Sequence, residues 1–353
     1  MVDCIGMDIH RKWSQVWVLN PRGKEEQAVR LHHGDVGRVR EFFQQFEPGT
    51  AVVMEATVGW MWLADLLQEL DLDVHLAHSA GVKLIAASRL KTDKVDAHTL
   101  AQLLRTGFLP EAYLAPTEVR NQRVLLRFRQ GLVKLQTMVK NRVHAILIRW
   151  NVALEMTDLF GAKGMEQLRA MKLPQPWHRV FHEWLKLLEH LRRRLKETER
   201  AILREIGDDR EARLLRSLPG VGQVLSFVIR AEIGQIERFA SDRHLASYAA
   251  LVPKTYQSGE KTRQGSLVSG NQTLQWALVE AAQTAVRRDS YFARLYQRHK
   301  SKRGHGHAIV AVAHQMARIL WHLLKEQRAY RPLRLQRNSP VGPTHPMAVG
   351  ARG

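Results

Sequence analysis

The first hundred residues change their hydrophobic period repeatedly. Cys4–His10 and Ser14–Asn20 are short apolar-rich runs, and the Pro21–Gly23 turn signal separates the second from a third run at Gln27–His33. Apolar residues then fall at helical spacing over Val36–Phe46. Thr50–Ala56 (TAVVMEA) has the length and β-branched content of a buried strand. Trp60–Leu70 is helical again, Val74–His78 is a further strand, and Asp93–Arg105 closes the series as a helix. Strands first, then strands alternating with helices, predict an α/β sheet with helices packed against it, over residues 1–110.

Pro110 and Pro116 mark a linker, after which the period lengthens. Leu125, Leu132, Val139 and Ile146 recur every seven residues, with Phe128 and Leu135 in the complementary positions. Beyond a loop containing Pro174 and Pro176, Phe181, Leu188, Leu195 and Ile202 repeat that spacing, with Trp184 and Leu191 alongside. Residues 117–207 are therefore expected to form two helices of opposite sense. They would make an antiparallel coiled-coil arm, a dimer interface, or a plain hairpin packed on its own domain. A mainly helical third region covers 211–330, and the proline-bearing tail 331–353 is expected to be disordered.

Composition narrows the partners. At 45% hydrophobic, the 353-residue chain has the apolar content of a folded protein. Fifty-four Lys and Arg against 34 Asp and Glu give a net charge of +20, which points to a polyanion. The excess is unevenly placed: residues 1–105 hold 12 basic and 14 acidic side chains, and the remainder hold 42 and 20. A carboxylate-keeping module joined to an anion-binding body suits a division between holding cations and holding phosphates. A single cysteine, Cys4, excludes a disulfide framework and a cysteine-built zinc site. No run of apolar residues is long enough to span a bilayer, and the acidic start, MVDCIGMDIH, is unlike an export signal. A cytoplasmic location is expected.

The acids carry the chemistry. Asp8 lies in the apolar strand CIGMDIH and Glu55 ends the strand TAVVMEA, while Asp93 and Asp96 lie three apart on one helix. Taken singly, a strand-end Glu or a helix Asp is a cap or a solvated side chain. Asp8 is different, because an unpaired carboxylate among apolar neighbours is costly. Together the four supply the hard oxygen ligands that Mg2+ takes, as in an RNase H-like nuclease core.

At these residues the chain resembles a known family. GMDIH with Asp8, MEAT with Glu55, and KTDKVDAHTLAQLL with Asp93 and Asp96 match the DEDD signature of the insertion-sequence transposases called the one-ten family. A second set of motifs agrees: LRSLPGVGQVLSFVIRAEIG, YAALVPKTYQSGEKTRQGSLVSGNQTLQWALVEAA and GHGHAIVAVAHQMARILWHLLK, so the likeness spans about residues 3–328. The resemblance implies an α/β RNase H-like (RuvC-like) N-terminal domain, a helical coiled-coil middle, and a mainly α C-terminal transposase domain. It implies a site-specific DNA recombinase guided by a structured non-coding RNA. Its carboxylates would hold Mg2+, and a serine would form a covalent phosphoserine–DNA intermediate in a dimer assembling to a tetramer. Carried over, the serine falls on Ser258 in PKTYQSGEKTRQG, where Gln257 stands in place of a second serine. Ser266 and Ser269 in GSLVSGN remain weaker alternatives.

The residues alone say less about Ser258. Serine is a weak nucleophile without a base or metal, and no histidine lies within ten residues of it. Lys261 and Arg263 can neutralise a nearby phosphate, yet a mobile Ser/Gly loop with solvated cations fits the same string. Nucleic-acid contacts are expected at Gly220 and Gly222 of the PGVG turn, which looks like a helix–hairpin–helix. They are also expected at Arg120 and Arg127 on the first arm helix, and at Arg287, Arg288 and Arg298. Tyr291, Phe292 and Tyr296 are interleaved with these last cations and offer rings to unpaired bases or to their own core. His305 and His307 receive no role. A RuvC-like nuclease using metal-activated water, and a non-catalytic nucleic-acid scaffold, remain the competing readings.

Overall fold

In a computed structural model, which describes residues 4–57, 59–85, 93–152, 158–207, 209–258 and 261–332, the chain divides into two units, Met1–Thr117 and Glu118–Gly353. The first contains β1 (Cys4–Ile9), β2 (Trp13–Leu19), β3 (Glu25–His32), α1 (Val36–Gln44), β4 (Ala51–Glu55), α2 (Trp60–Glu69), β5 (Asp73–Ala77), α3 (Ser79–Ile85), α4 (Asp93–Arg105) and β6 (Glu111–Ala112). The sheet order is β3-β2-β1-β4-β5-β6. β1, β2 and β3 form an antiparallel meander, β4 and β5 run parallel to β1, and β6 returns antiparallel. The expected Pro21–Gly23 turn closes β2 to β3: the Asn20 side chain accepts from the amides of Arg22 and Lys24, at 3.0 and 3.1 Å, and Gly23 takes φ +78°. The eight predicted elements of this unit are present, with ends shifted by at most two residues. The short α3 and β6 had no signal strong enough to predict them.

Alternation assigns the faces. Ile5, Met7, Val52 and Met54 pack against α1 and α2 through Val39, Phe43, Leu63 and Leu67. The intervening positions of β1 and β4 look to the opposite face, where Val53 meets Leu100 and Leu103 of α4. α4 lies across β1, β2 and β4. It comes so close at Gly6 that an added Cβ would sit 2.0 Å from the Ala97 carbonyl oxygen.

The second unit begins with the arm: α5 (Thr117–Arg149), α6 (Ala162–Ala170) and α7 (Trp177–Ile206). Leu132, Val139 and Ile146 are buried against Phe181, Leu188 and Leu191, as the heptads predicted. The complementary line differs. Phe128 and Leu135 are 49% and 46% exposed, and Val143 and Leu147 fill the seam instead. α6, which lies in a stretch predicted as loop, adds Met165 and Leu168 to this core and widens the buried face beyond a two-helix stripe.

The rest is α8 (Arg210–Arg216), α9 (Gln223–Ile233), α10 (Asp242–Tyr248), β7 (Pro253–Ser258), β8 (Lys261–Leu267), α11 (Gln272–Arg288) and α12 (Ser290–Glu326). One apolar core joins α8 to α12 and takes in Leu126 and Ile202 from the base of the arm. α12 is kinked at Gly304, whose φ of 79° and ψ of 178° are not helical. Residues 333–353, nearly all of the expected tail, lie outside the described residues. Among the described residues no helix is long and apolar enough to cross a membrane.

Candidate active site

Asp8 follows Met7 on β1, and Glu55 follows Met54 on β4. Met7 and Met54 are register partners, so the two acids end neighbouring parallel strands side by side. Ile5, Met7, Val52 and Met54 face α1 and α2, which by alternation turns Asp8 and Glu55 toward α4. Both acids are half-buried. The first turn of α4 carries Asp93 and Asp96, and the next residue, Ala97, is the one pressed onto Gly6 two positions before Asp8. The side chain of Asp93 lies outside the described residues; Asp96 is half-buried. Asp8 Oδ2 stands 3.1 Å from His10 Nε2, and the His10 ring lies on Trp13 with centroids 4.1 Å apart. His10 is thus a partner of Asp8, a role the sequence reading did not assign. Among the described residues no three His, Cys, Asp or Glu side chains converge as a ligand cluster.

Ser258 is on a strand. β7 and β8 form a two-stranded antiparallel hairpin in which Ser258 is paired with Lys261 and Tyr256 with Arg263. Lys254–Ser258 and Lys261–Gly265 are therefore paired strands and not the loop that their Ser, Gly and Lys content suggested. The side chains of Ser258, Lys261 and Arg263 lie outside the described residues. Ser266 and Ser269 are exposed.

One of the expected nucleic-acid contacts is corrected, and a second, exposed one is shared with a carboxylate. Arg120 is 5% exposed, so it is an interior residue of α5. Arg127 is held by Glu232 of α9, with Nε 3.0 Å from Oε1 and Nη2 2.9 Å from Oε2. Glu232 is 2% exposed and also accepts from Asn271 Nδ2 at 2.8 Å, while Arg123 donates to the carbonyls of Ala231 and Glu232. Asn271 in turn caps α11 through the Leu274 amide. A sequence-distant carboxylate thus occupies a cation expected to meet phosphate. Phe292 and Tyr296 are buried, so these rings are core residues and are not open to unpaired bases. Arg287, Arg288 and Arg298 are exposed.

In the PGVG turn, Gly220 has φ +90°, and a Cβ there would lie 2.1 Å from the Ala281 carbonyl oxygen of α11. Its lack of a side chain serves packing. Gly222 caps α9 with open space around it.

Comparison with known proteins adds a decisive observation. A DEDD-type insertion-element transposase family matches residues 5–151, and the family described as "Transposase IS116/IS110/IS902 family" matches residues 212–297. This chain belongs to the IS110/IS116 family of transposases. The transposase is 27% identical to a "Probable family 20 transposase" of Pseudomonas aeruginosa over 93% of its own length and 98% of the relative's. It is 24% identical to the transposase for insertion sequence element IS1328 of Yersinia enterocolitica, covering 78% and 83% of the two chains. It is 26% identical to the transposase for insertion sequence element IS1111A of Coxiella burnetii, covering 79% of each. The DEDD model matches across Asp8, Glu55, Asp93 and Asp96 and implies dependence on a divalent metal ion. The second model matches across Ser258.

Proposed function

We propose that this transposase is a site-specific DNA recombinase in which Asp8, Glu55, Asp93 and Asp96 hold Mg2+ and Ser258 forms a covalent bond to DNA. The observation that carries the reading is the pair Asp8 and Glu55. They end adjacent parallel strands on the sheet face crossed by α4, the helix that bears Asp93 and Asp96. The strand order β3-β2-β1-β4-β5, with an antiparallel meander followed by two parallel additions, supports an RNase H-like domain. Carboxylate oxygens are the hard donors Mg2+ selects, so the donor set fits the ion. The bound ion supplies charge stabilisation at a transferring phosphoryl group and lowers the pKa of a coordinated oxygen.

The chain's own part is orientation and bond exchange. The close approach at Gly6 fixes the start of α4 against β1 and so holds its acids near Asp8 and Glu55. His10 orients the Asp8 carboxylate. In the proposed step Ser258 Oγ gives up its proton and bonds to the scissile phosphorus. The sugar oxygen leaves with the electron pair of the broken P–O bond and takes up a proton. A second DNA end then attacks the serine ester and frees Ser258. Lys261 and Arg263, cross-strand from Ser258 and Tyr256, are the neutralising cations of this hairpin.

The partners are double-stranded DNA and a structured non-coding guide RNA; the RNA rests on the family likeness and on the basic balance beyond residue 105. Assembly through the arm is supported by a second apolar line on α5 that α7 leaves uncovered. Val124, Phe128, Leu135 and Met138 are 60%, 49%, 46% and 44% exposed and fall at heptad-like spacing. The α8–PGVG–α9 segment fits a helix–hairpin–helix that meets the DNA backbone at Gly222. The reading is tested by changing Asp8 to Asn. Mg2+-dependent strand cleavage is expected to disappear while DNA binding persists, and unchanged cleavage refutes the carboxylate site. Omitting RNA transcribed from the element's flank tests the guide: full activity without it removes the RNA from the account.

A further inference from the structure

A cavity of about 690 Å3 lies in the second unit between the base of the β7–β8 hairpin and the kinked α12. Its floor is apolar: Leu251 and Pro253 lead into β7, Leu267 ends β8, and Val310 and Ala311 follow the kink. Its polar groups come from α12, at His299, Arg303, His307 and His314, and from Ser266 of β8. His299 and Arg303 lie before the break at Gly304 and His307 and His314 after it, so both arms of the kinked helix contribute to one lining. Among the described residues lining the cavity there is no carboxylate.

The volume lies within the roughly 300–1,000 Å3 of sites that enclose a small organic ligand. A bare phosphate needs neither this volume nor an apolar floor. A duplex backbone, being convex, cannot enter a concave pocket. A flat heterocycle with an anion attached matches both halves of the lining. We propose that this cavity takes one unstacked nucleotide of a bound nucleic acid, its base against Leu251, Leu267 and Val310 and its phosphate at Arg303 and His307. Imidazole and guanidinium planes stack on bases and donate to phosphate oxygens. This role does not draw on the chemistry of Ser258. It rests only on the chain's binding nucleic acid, so it can fail while the recombinase reading stands, and the reverse.

Gly306 offers a clean test. It lines the cavity, and an added Cβ there meets nothing within 4 Å, so Gly306→Trp fills the pocket without straining the backbone. Full-length protein is titrated by fluorescence anisotropy with a short labelled duplex, either fully paired or carrying one central bulged nucleotide, in DNA and RNA versions. The wild type is expected to bind a bulged duplex about tenfold more tightly than its paired counterpart, the scale of one base stacking on a protein platform. Preference for the bulge in DNA alone or in RNA alone identifies the strand that supplies the nucleotide. Gly306→Trp is expected to bind paired and bulged duplexes equally, with paired affinity unchanged. His307→Gln with Arg303→Gln, at two exposed positions, is expected to reduce the preference several-fold and decides the matter should Gly306→Trp melt early. Equal binding of paired and bulged duplexes by the wild type overturns the proposal. So does a preference that survives both the filled pocket and the loss of its cations.

Discussion

Replacing Glu232 by Gln removes the charge at the centre of the arm's attachment. The carboxylate is 2% exposed and receives both nitrogens of the Arg127 fork at 2.9–3.0 Å and Asn271 at 2.8 Å; Arg123 lies at 3.7 Å. Taking one partner from a buried ion pair costs about 3–5 kcal/mol, because the other charge stays desolvated. Here the orphans differ. The Arg127 side chain is 50% exposed and regains water, whereas Arg123 is 15% exposed and loses its neighbouring carboxylate charge. Burial already pulls the Arg123 guanidinium below its ordinary value, and Glu232 is the main group opposing that shift. The loss therefore belongs at the lower end, about 3 kcal/mol. In a unit of this size that lowers Tm by roughly 6–12 °C. Urea unfolding followed by circular dichroism should show a lower midpoint at unchanged slope. Arg127→Gln should destabilise less, because its side chain is half-exposed and its loss leaves Glu232 with Asn271 and with Arg123 nearby. A Glu232→Gln protein within about 0.5 kcal/mol of wild type, the range of an ordinary surface change, refutes the reasoning.

Gly6→Ala inserts a Cβ where the Ala97 carbonyl stands 2.0 Å away. It should cost at least about 1–3 kcal/mol and abolish Mg2+-dependent cleavage by shifting α4; retained activity would separate α4 from the site. Changing Phe128 and Leu135 together to Lys should convert the oligomer to monomer in sedimentation with Tm unchanged, and an intact oligomer would exclude this face of α5. Burial holds His33 and His314 below the ordinary 6.5, the neighbouring Arg318 adding to the effect at His314. Unfolded imidazoles then bind protons that the folded ones refuse, so stability present above pH 6.5 is lost as pH falls below it. Melting temperatures across pH 5–7.5 should show this decline, and His314→Gln should flatten its second-unit part.

Much of the sheet domain was legible because its residues report their own environment. The alternation in CIGMDIH and the compact run TAVVMEA specify strands, and the glycine two before Asp8 permits α4 to approach. What escaped depended on partners distant in sequence. The partner of Arg127 is Glu232, 105 positions away, and nothing near Arg127 in the sequence announces it. Phe128 and Leu135 fit an inward heptad line, yet α6 and the residues Val143 and Leu147 complete the arm core without them. The hairpin was obscured by polar and glycine content, although Thr255, Tyr256 and Thr262 are strand formers on either side of a Ser-Gly turn signal. His307, left without a role by the sequence, acquires a setting only once the kink at Gly304 brings α12 around the cavity.

The central claim is that Ser258 joins the protein to DNA. The direct measurement incubates the purified protein with Mg2+, labelled donor and target DNA, and RNA from the element's flank, then separates the products on a denaturing gel. The account predicts a protease-sensitive, slow-migrating DNA–protein adduct that forms with wild type and is absent with Ser258→Ala, whose fold and DNA binding are retained. Strand cleavage without any adduct, or an adduct that persists in Ser258→Ala, would contradict it. The first result would assign the chemistry to metal-activated water, and the second would move the nucleophile to another residue.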